Sequence, residues 1–291
     1  MARLWDIYDE IEIELEFEGA PVSGDQRSLL PKIELSIHTG KGAKLPVSEL
    51  SGEEPQKNLA YRAVGLFLKN LPTPLKRMPS LIRLSLFKGI PWQAGLGGGS
   101  SDAAEILLHL NRYFNLPYSE EEILSLGASI GSDVSFFMKD RICLVEGLGE
   151  VVTPLSYQEI GGYALVFKPP YGLSTQKVYQ NLQESTFTDP KTWKEQSSVF
   201  TKPPPFILEQ ITEFIYNALE QTALLLEPRL TAWKERILNQ GARQVVLAGS
   251  GSALVGLFDQ QDEALKARAE LMKIASSEPS QSGFYCEVSR Y

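Results

Sequence analysis

With 291 residues the chain can form one large domain or two ordinary ones, and 43% hydrophobic with 22% charged residues describes a packed core that needs no covalent staples. A net charge of -8 argues against non-specific nucleic-acid binding, short of a local basic groove, and no apolar run is long enough to span a bilayer. Two cysteines far apart, Cys143 and Cys286, suggest no disulfide framework and fit a reducing, cytoplasmic setting. Met1 to Glu10 is acidic and aromatic, with neither the basic nor the apolar region of a secretory signal.

Ile7 to Phe17 alternates with period two, a half-buried strand, and Lys32 to His38 repeats the pattern. Asn58 to Leu71 carries Leu59, Ala63, Leu66 and Phe67 at helical spacing, and Leu81 to Phe87 is a strand ended by Ile90-Pro91. Ser100, Ser101 and Asp102 are N-cap residue types, which predicts a helix over Ala103 to Phe114, stopped by Asn115 and Pro117. Ser119 and Glu122 form a capping box for the next helix, which Gly131 ends. Ile142 to Val145 and Glu150 to Leu155 read as a hairpin that closes a first unit.

The second unit opens with a strand at Tyr163 to Lys168 and a helical Val178 to Leu182. Ser185 to Pro205 reads as a polar, proline-rich loop, and Phe206 to Leu226 and Arg229 to Asn239 as helices. Strands at Val245 to Leu247 and Ala253 to Phe258 flank Gly249-Ser250-Gly251-Ser252; a helix over Asp262 to Ala275 and a strand over Gly283 to Ser289 finish the chain. Strands and helices mixed in this order predict an α+β fold of two domains, 1–156 and 157–291.

The stretch Gly95-Leu96-Gly97-Gly98-Gly99-Ser100-Ser101-Asp102 opens a helix. Backbone N–H groups at a helix start lack helical partners, the dipole adds about half a positive charge, and glycines let an anion approach closely. Together these make a phosphate cradle. No lysine follows the glycines, so this is not a Walker A loop, and no acidic residue ends a parallel βαβ unit as a dinucleotide fold requires. A tight turn packing helix against strand is the plainer alternative, but it does not need three consecutive glycines, two serines and an aspartate.

PWQAGLGGGSSDAA resembles the phosphate-binding motif of the GHMP kinases, most of all the branch whose acceptor is a cytidine-diphosphate-linked methylerythritol. LWDIYDEIEIELE, KNLAYRAVGLF, LGASIGSDVSFF, PPYGLSTQKVY and LAGSGSALVGLF resemble further family segments along nearly the whole chain. The resemblance implies a ribosomal-protein-S5-like N-terminal domain, a ferredoxin-like C-terminal domain, and a site between them. It implies transfer of the ATP γ-phosphate, aided by Mg2+, to the 2-hydroxyl of 4-diphosphocytidyl-2-C-methyl-D-erythritol. It implies no nucleic-acid or membrane partner and a monomer or homodimer.

Several residues take roles from this resemblance. Asp133 matches the catalytic carboxylate that orients or deprotonates the attacking hydroxyl; by itself, a carboxylate at such a turn would cap the next helical turn. Lys88 matches a basic position near ATP, or is a solvated strand-end lysine. Asn58 reaches the adenine or phosphates, or caps its helix. Pro91 and the run Gly95 to Ser101 line the nucleotide, with Ser101, alternatively Ser100, on Mg2+. Thr175 and Tyr179 fall where the family holds cytosine, Tyr179 being otherwise a half-buried packing residue, and Gly249, Ser250 and Gly251 pack against phosphate or substrate. His38 and His109 read as structural.

The family also carries a Pro-Ala-Lys-Ile-Asn-Leu strand and a Gly-Tyr-His segment ahead of these motifs, and this sequence contains neither. Either Met1 is internal to a longer natural chain, the favoured reading because the downstream chemistry is kept, or the protein is a weakened relative. On both readings the chain is expected to lack a central strand of its first sheet and half the active site. Lys32 is an ordinary strand residue rather than a substitute for the family lysine. The rival readings are a non-catalytic nucleotide-binding relative and a GHMP kinase for another small alcohol, such as homoserine or a phosphomevalonate-like acid.

Overall fold

The computed structural model of the chain describes residues 4, 6–18, 30–40, 54–72, 75, 77–139, 142–155, 157–158, 161–183, 189, 191–192, 206–207, 215–278 and 283–291. They divide into two units. The first contains Asp9–Gly89 and Gly97–Pro154; the second contains Ala2–Tyr8, Ile90–Leu96 and Leu155–Tyr291.

In the first unit, β1 (Glu10–Glu16), β2 (Lys32–Thr39) and β3 (Leu81–Lys88) form a sheet in the order β1-β3-β2. β1 pairs antiparallel to β3, with Ile13 opposite Leu84, and β2 pairs parallel to it, with Leu35 opposite Leu84. The alternation of β3 buries Ile82, Leu84 and Leu86. α1 (Leu59–Lys69) lays Ala60, Ala63, Val64, Phe67 and Leu68 into the core at helical spacing. α2 (Gly98–Tyr113) adds Ala103, Ala104, Ile106, Leu107 and Leu110. A fully buried side chain such as Phe67 or Leu107 contributes about 1.5–3 kcal/mol by leaving water. α3 (Glu120–Ile130) opens on the expected capping box of Ser119 and Glu122, and the short α4 (Val134–Phe137) follows. β4 (Cys143–Glu146) and β5 (Val151–Pro154) form the expected hairpin.

Two expectations in this unit shift. α2 begins at Gly98, so Ser100, Ser101 and Asp102 lie inside the helix rather than ahead of it. The cap is Gly97, at φ 71°, and a side chain there would come within 2.7 Å of the Phe137 ring. The first strand is shorter than Ile7 to Phe17: it starts at Glu10, and Ile7 packs in the second unit with Ala94, Val166 and Ala253.

In the second unit, β6 (Tyr157–Gln158) pairs with β8 (Phe206–Ile207) outside the main sheet. With that short pair set aside, the described elements of the unit run β-α-α-α-β-β-α-β. β7 (Tyr163–Lys168), β9 (Gln244–Leu247), β10 (Leu254–Phe258) and β11 (Tyr285–Arg290) form an antiparallel sheet in the order β11-β7-β10-β9. Numbered along the chain that order is 4-1-3-2, the ferredoxin-like arrangement. α5 is Thr175–Gln180, α6 Glu220–Leu226, α7 Arg229–Asn239 and α8 Gln261–Ser277. The core gathers Leu165, Phe167, Trp233, Ile237, Phe258 and Leu271, with the rings of Phe167 and Trp233 4.5 Å apart. The helix expected over Phe206 to Leu226 is not one element: Phe206–Ile207 is extended, 215–219 is non-helical, and α6 starts only at Glu220. Its middle, 208–214, and most of the loop expected at 185–205 lie outside the described residues.

β3 ends on an ion cluster. Lys88 continues the buried phase of Ile82, Leu84 and Leu86 and is 6% exposed. Its Nζ donates to Asp102 Oδ2 at 2.7 Å and to Asp9 Oδ2, while Asp9 Oδ1 accepts the Gly89 N–H at 2.7 Å. The cluster therefore joins the entry to β1, the end of β3 and the second turn of α2. Burial works against the charge on Lys88, but the two carboxylates outweigh it and hold its pKa above the usual lysine value. Burial, opposed by Lys88 and reinforced by the charge on Asp9, pushes Asp102 up to about 7.

The Asp102 shift has a definite sign. Below pH 3.8 folded and unfolded chains both carry this proton, whereas between 3.8 and about 7 only the folded chain keeps it. The stability this group contributes is therefore lost as pH rises through that window. Asp102→Asn keeps an acceptor for Lys88 and removes the titration. The unfolding free energy of the variant minus that of the parent should become more positive between about pH 4 and about pH 7 in denaturant titrations of the unliganded protein. A difference independent of pH would contradict the raised Asp102.

Candidate active site

The glycine turn of the first unit feeds α2. Ser101 N–H makes the first intrahelical bond, to Gly97 O at 2.8 Å, so the N–H groups of Gly98, Gly99 and Ser100 precede the helical ladder. Gly99 is exposed, and Ser100 and Ser101 are half-buried. Ser101 Oγ donates to Gly98 O at 2.8 Å, which orients the hydroxyl and leaves oxygen lone pairs for a further partner. Asn58 caps α1 through Oδ1, accepting from Ala60 N–H at 2.9 Å, so only its Nδ2 remains for a ligand.

Asp133 stands at the start of α4 with φ -91° and ψ -11°, and its side chain makes no capping hydrogen bond. The capping role open to it in the sequence is thus unused; its carboxylate accepts from Ser132 Oγ at 3.3 Å. Lys88 is not the solvated strand-end lysine that the sequence also allowed, because its ammonium is buried between Asp9 and Asp102. Lys32 lies on the surface and pairs with Glu34 at 2.6 Å. His38 stacks on Phe87 and His109 sits 3.7 Å from Glu105. Among the described residues no group of three or more His, Cys, Asp or Glu could hold a metal ion, and no helix is long and apolar enough to cross a membrane.

The second unit contains the other half of the sequence motifs. Pro91 is buried, and the backbone of Gly95 lies against the turn after β9, where a Cβ on Gly95 would come 2.7 Å from the Ala248 carbonyl carbon. Ala253 N–H donates to Ala94 O at 3.1 Å, and a Cβ on Gly249 would sit 2.9 Å from Gly95 O. Gly95 and Gly249 are therefore backbone neighbours. Thr175 Oγ1 and Ser250 Oγ share a hydrogen bond of 2.8 Å. Tyr179 on α5 is 58% exposed, so the half-buried packing role considered for it does not hold.

Sequence reasoning missed three features. Asp9 and Asp102 partner Lys88, and the alternation through Ile82, Leu84 and Leu86 already pointed Lys88 inward. Asn217 Nδ2 donates to Leu247 O at 2.8 Å and Gly249 O at 2.7 Å, while Glu220 Oε2 accepts the Leu247 N–H at 2.7 Å, so these two side chains hold the entry to the glycine turn. Gly149, at the tip of the β4–β5 hairpin, lies against the backbone of Ser132.

Two family descriptions match the chain: the N-terminal domain of GHMP kinases at residues 58–141 and the C-terminal domain at 207–275. A 4-diphosphocytidyl-2-C-methyl-D-erythritol kinase from Citrifermentans bemidjiense is 32% identical over 246 residues, 84% of this chain and 82% of that protein. One from Desulfitobacterium hafniense is 33% identical over 268 residues, 91% of this chain and 84% of that protein. A crystal structure of 4-(cytidine 5'-diphospho)-2C-methyl-D-erythritol kinase superposes with a TM-score of 0.63 at 27% identity, covering 97% of this chain and 85% of that one. With a free-ended helix start, an uncapped aspartate and relatives matched over most of their length, the chain belongs to the GHMP kinases, in the 4-diphosphocytidyl-2-C-methyl-D-erythritol kinase family.

Proposed function

We propose that the protein transfers the γ-phosphate of ATP to the 2-hydroxyl of 4-diphosphocytidyl-2-C-methyl-D-erythritol, a step in the synthesis of isoprenoid precursors. The observation that carries this reading is the start of α2, where three N–H groups precede the first helical bond and Gly97 supplies a left-handed turn. That end of a helix suits a polyphosphate by hydrogen bonding and by dipole. The names of the family members supply the acceptor.

In this reading the run Gly95 to Ser101 binds the ATP phosphates, with Asn58 Nδ2 and Pro91 toward the nucleotide. Mg2+ fits the same place. Ser101, or Ser100, offers a hydroxyl oxygen that would serve as a ligand, and an ion that keeps several waters would need few others from the protein. When bound it neutralises phosphate charge. Asp133 accepts the proton of the attacking hydroxyl, Tyr179 stacks on the cytosine, and Thr175 with Ser250 holds a polar edge of the substrate. Two buried free cysteines fit a cytoplasmic enzyme.

Three substitutions test these roles separately. A Cβ on Gly99 meets only Leu59 at 3.7 Å, an ordinary contact, so Gly99→Val should leave the melting temperature nearly unchanged. Helix side chains lean toward the N-terminus, so the valine crowds the anion site, and ATP affinity by calorimetry should fall at least about tenfold. Unchanged affinity would remove the cradle. Asp133→Asn should lower kcat by about 10²–10⁴-fold in a coupled ADP-release assay while ATP still binds; a rate near that of the parent would take away the base. Tyr179→Ala should weaken the cytidine substrate by about 1–3 kcal/mol and leave ATP alone. Equal losses for both ligands would make Tyr179 a general structural residue.

A further inference from the structure

We propose that Gly149 is a positioning residue: the tip of the β4–β5 hairpin braces the turn that aims Asp133, through backbone contact with Ser132. The inference rests on Asp133 being the base, and it adds what holds that base in place.

Asp133 needs an external brace because its own contacts fix it weakly. Its carboxylate caps nothing, and its described neighbour contact, from Ser132 Oγ, is 3.3 Å long. The direction of the side chain therefore follows the backbone. That backbone is right-handed, at φ -91° and ψ -11°, within a turn closed by the bond from Val134 N–H to Gly131 O at 3.1 Å. The direction of the carboxylate then depends on what surrounds the turn.

The hairpin supplies those surroundings. Gly149 is buried, with φ 101°, and its N–H donates to Glu146 O at 3.2 Å. A Cβ built on it would land on the Ser132 carbonyl, 2.6 Å from the carbon and 2.7 Å from Ser132 Cα. Main chain thus lies on main chain, with no side chain between them. The tip's large side chain does not do this work: Leu148 is 83% exposed. Gly147, in the same turn at φ 67°, faces the hairpin's own Glu150 side chain instead of Ser132. Both glycines of the turn have positive φ, and they differ in what they touch.

That difference makes the test. Steady-state kinetics with ATP and the cytidine substrate, together with ATP affinity by calorimetry, would be measured for Gly149→Ala, Gly147→Ala, Asp133→Asn and the Gly149→Ala/Asp133→Asn double variant. Displacing a catalytic group by about 1 Å costs up to about 10²-fold. We expect Gly149→Ala to lower kcat about 10- to 100-fold with both KM values and the ATP affinity kept within about twofold. Gly147→Ala should keep kcat, and Gly149→Ala should have little further effect once Asp133 is Asn, because coupled residues are not additive. An equal loss in both backgrounds, an equal loss from Gly147→Ala, or a rise in KM at constant kcat would overturn the proposal. Should Gly149→Ala not fold, Ser132→Gly loosens the turn without a clash, and Ser132→Ala controls for the lost Oγ contact to Asp133; Ser132→Gly must lower kcat more than Ser132→Ala does and with the same dependence on Asp133, and parental kcat, or a loss no larger than that of Ser132→Ala, would overturn the proposal too. If Asp133→Asn itself turns over at the parental rate, the base assignment fails, and the brace fails with it. If Asp133→Asn is slow and Gly149→Ala is not, the brace fails alone.

Discussion

Three ionisable side chains meet in a buried cluster at the end of β3. Lys88, Asp9 and Asp102 are tolerable there only as a set, since any one of them alone would bear the full cost of leaving water. Directional ion pairs of this kind specify position more strictly than apolar packing does. The apolar residues of α2 fill the core, and the bond of 2.7 Å from Lys88 Nζ to Asp102 Oδ2 adds a directional contact to that packing. Asp102 lies one turn beyond the helix start. The register of α2, and with it the direction of its first N–H groups, is thereby tied to the frame of the sheet.

Around the sequence motifs of each unit the described contacts are mostly main chain. In the first unit three N–H groups precede the first helical bond of α2 and a Cβ on Gly149 would meet the Ser132 backbone; in the second, Gly95 and Gly249 meet backbone to backbone. Side chains would hold these segments apart. A helix start of this kind recognises an anion by shape more than by residue type, so the phosphate role proposed for it asks little of side chains.

Local pattern accounted for most elements. The strand expected over Leu81 to Phe87 and the Ser119–Glu122 box appear where period and capping placed them, and the helix expected from Leu59, Ala63, Leu66 and Phe67 forms, with Ala63 and Phe67 fully buried and Leu59 and Leu66 only partly so. The ferredoxin-like strand order came from the family resemblance, and the register of β7, β9, β10 and β11 agrees with it. What failed depends on distant neighbours. Ser100, Ser101 and Asp102 have the composition of a cap, yet the helix starts earlier, from Gly97 in a left-handed conformation and with the Phe137 ring where a side chain would be. Apolar residues from Phe206 onward suggested one helix, but Phe206–Ile207 is drawn into extended pairing with Tyr157–Gln158. Asp9 meets Lys88 across 79 positions, and Gly149 meets Ser132 across a hairpin; neither pairing leaves a periodic trace. For Lys88 a trace existed in the strand's phase, and its charge argued against following it.

The path of the chain through the two units bears on how the protein emerges from the ribosome. Ile90–Leu96 leaves the first unit after β3, joins the second, and the chain returns at Gly97. Ala94 belongs to a buried cluster with Val166 and Ala253, and its carbonyl accepts a hydrogen bond from Ala253. The segment preceding the glycine turn thus waits, after synthesis, for partners about 70 and about 160 residues later in the chain, the last of them some tens of seconds away at the slower rates of elongation. Neither unit is complete as a contiguous fragment. The nascent N-terminal half must hold the end of β3 and the start of α2 in place while the loop between them has no docking surface, and the ion cluster, made wholly from residues already synthesised, is able to do that.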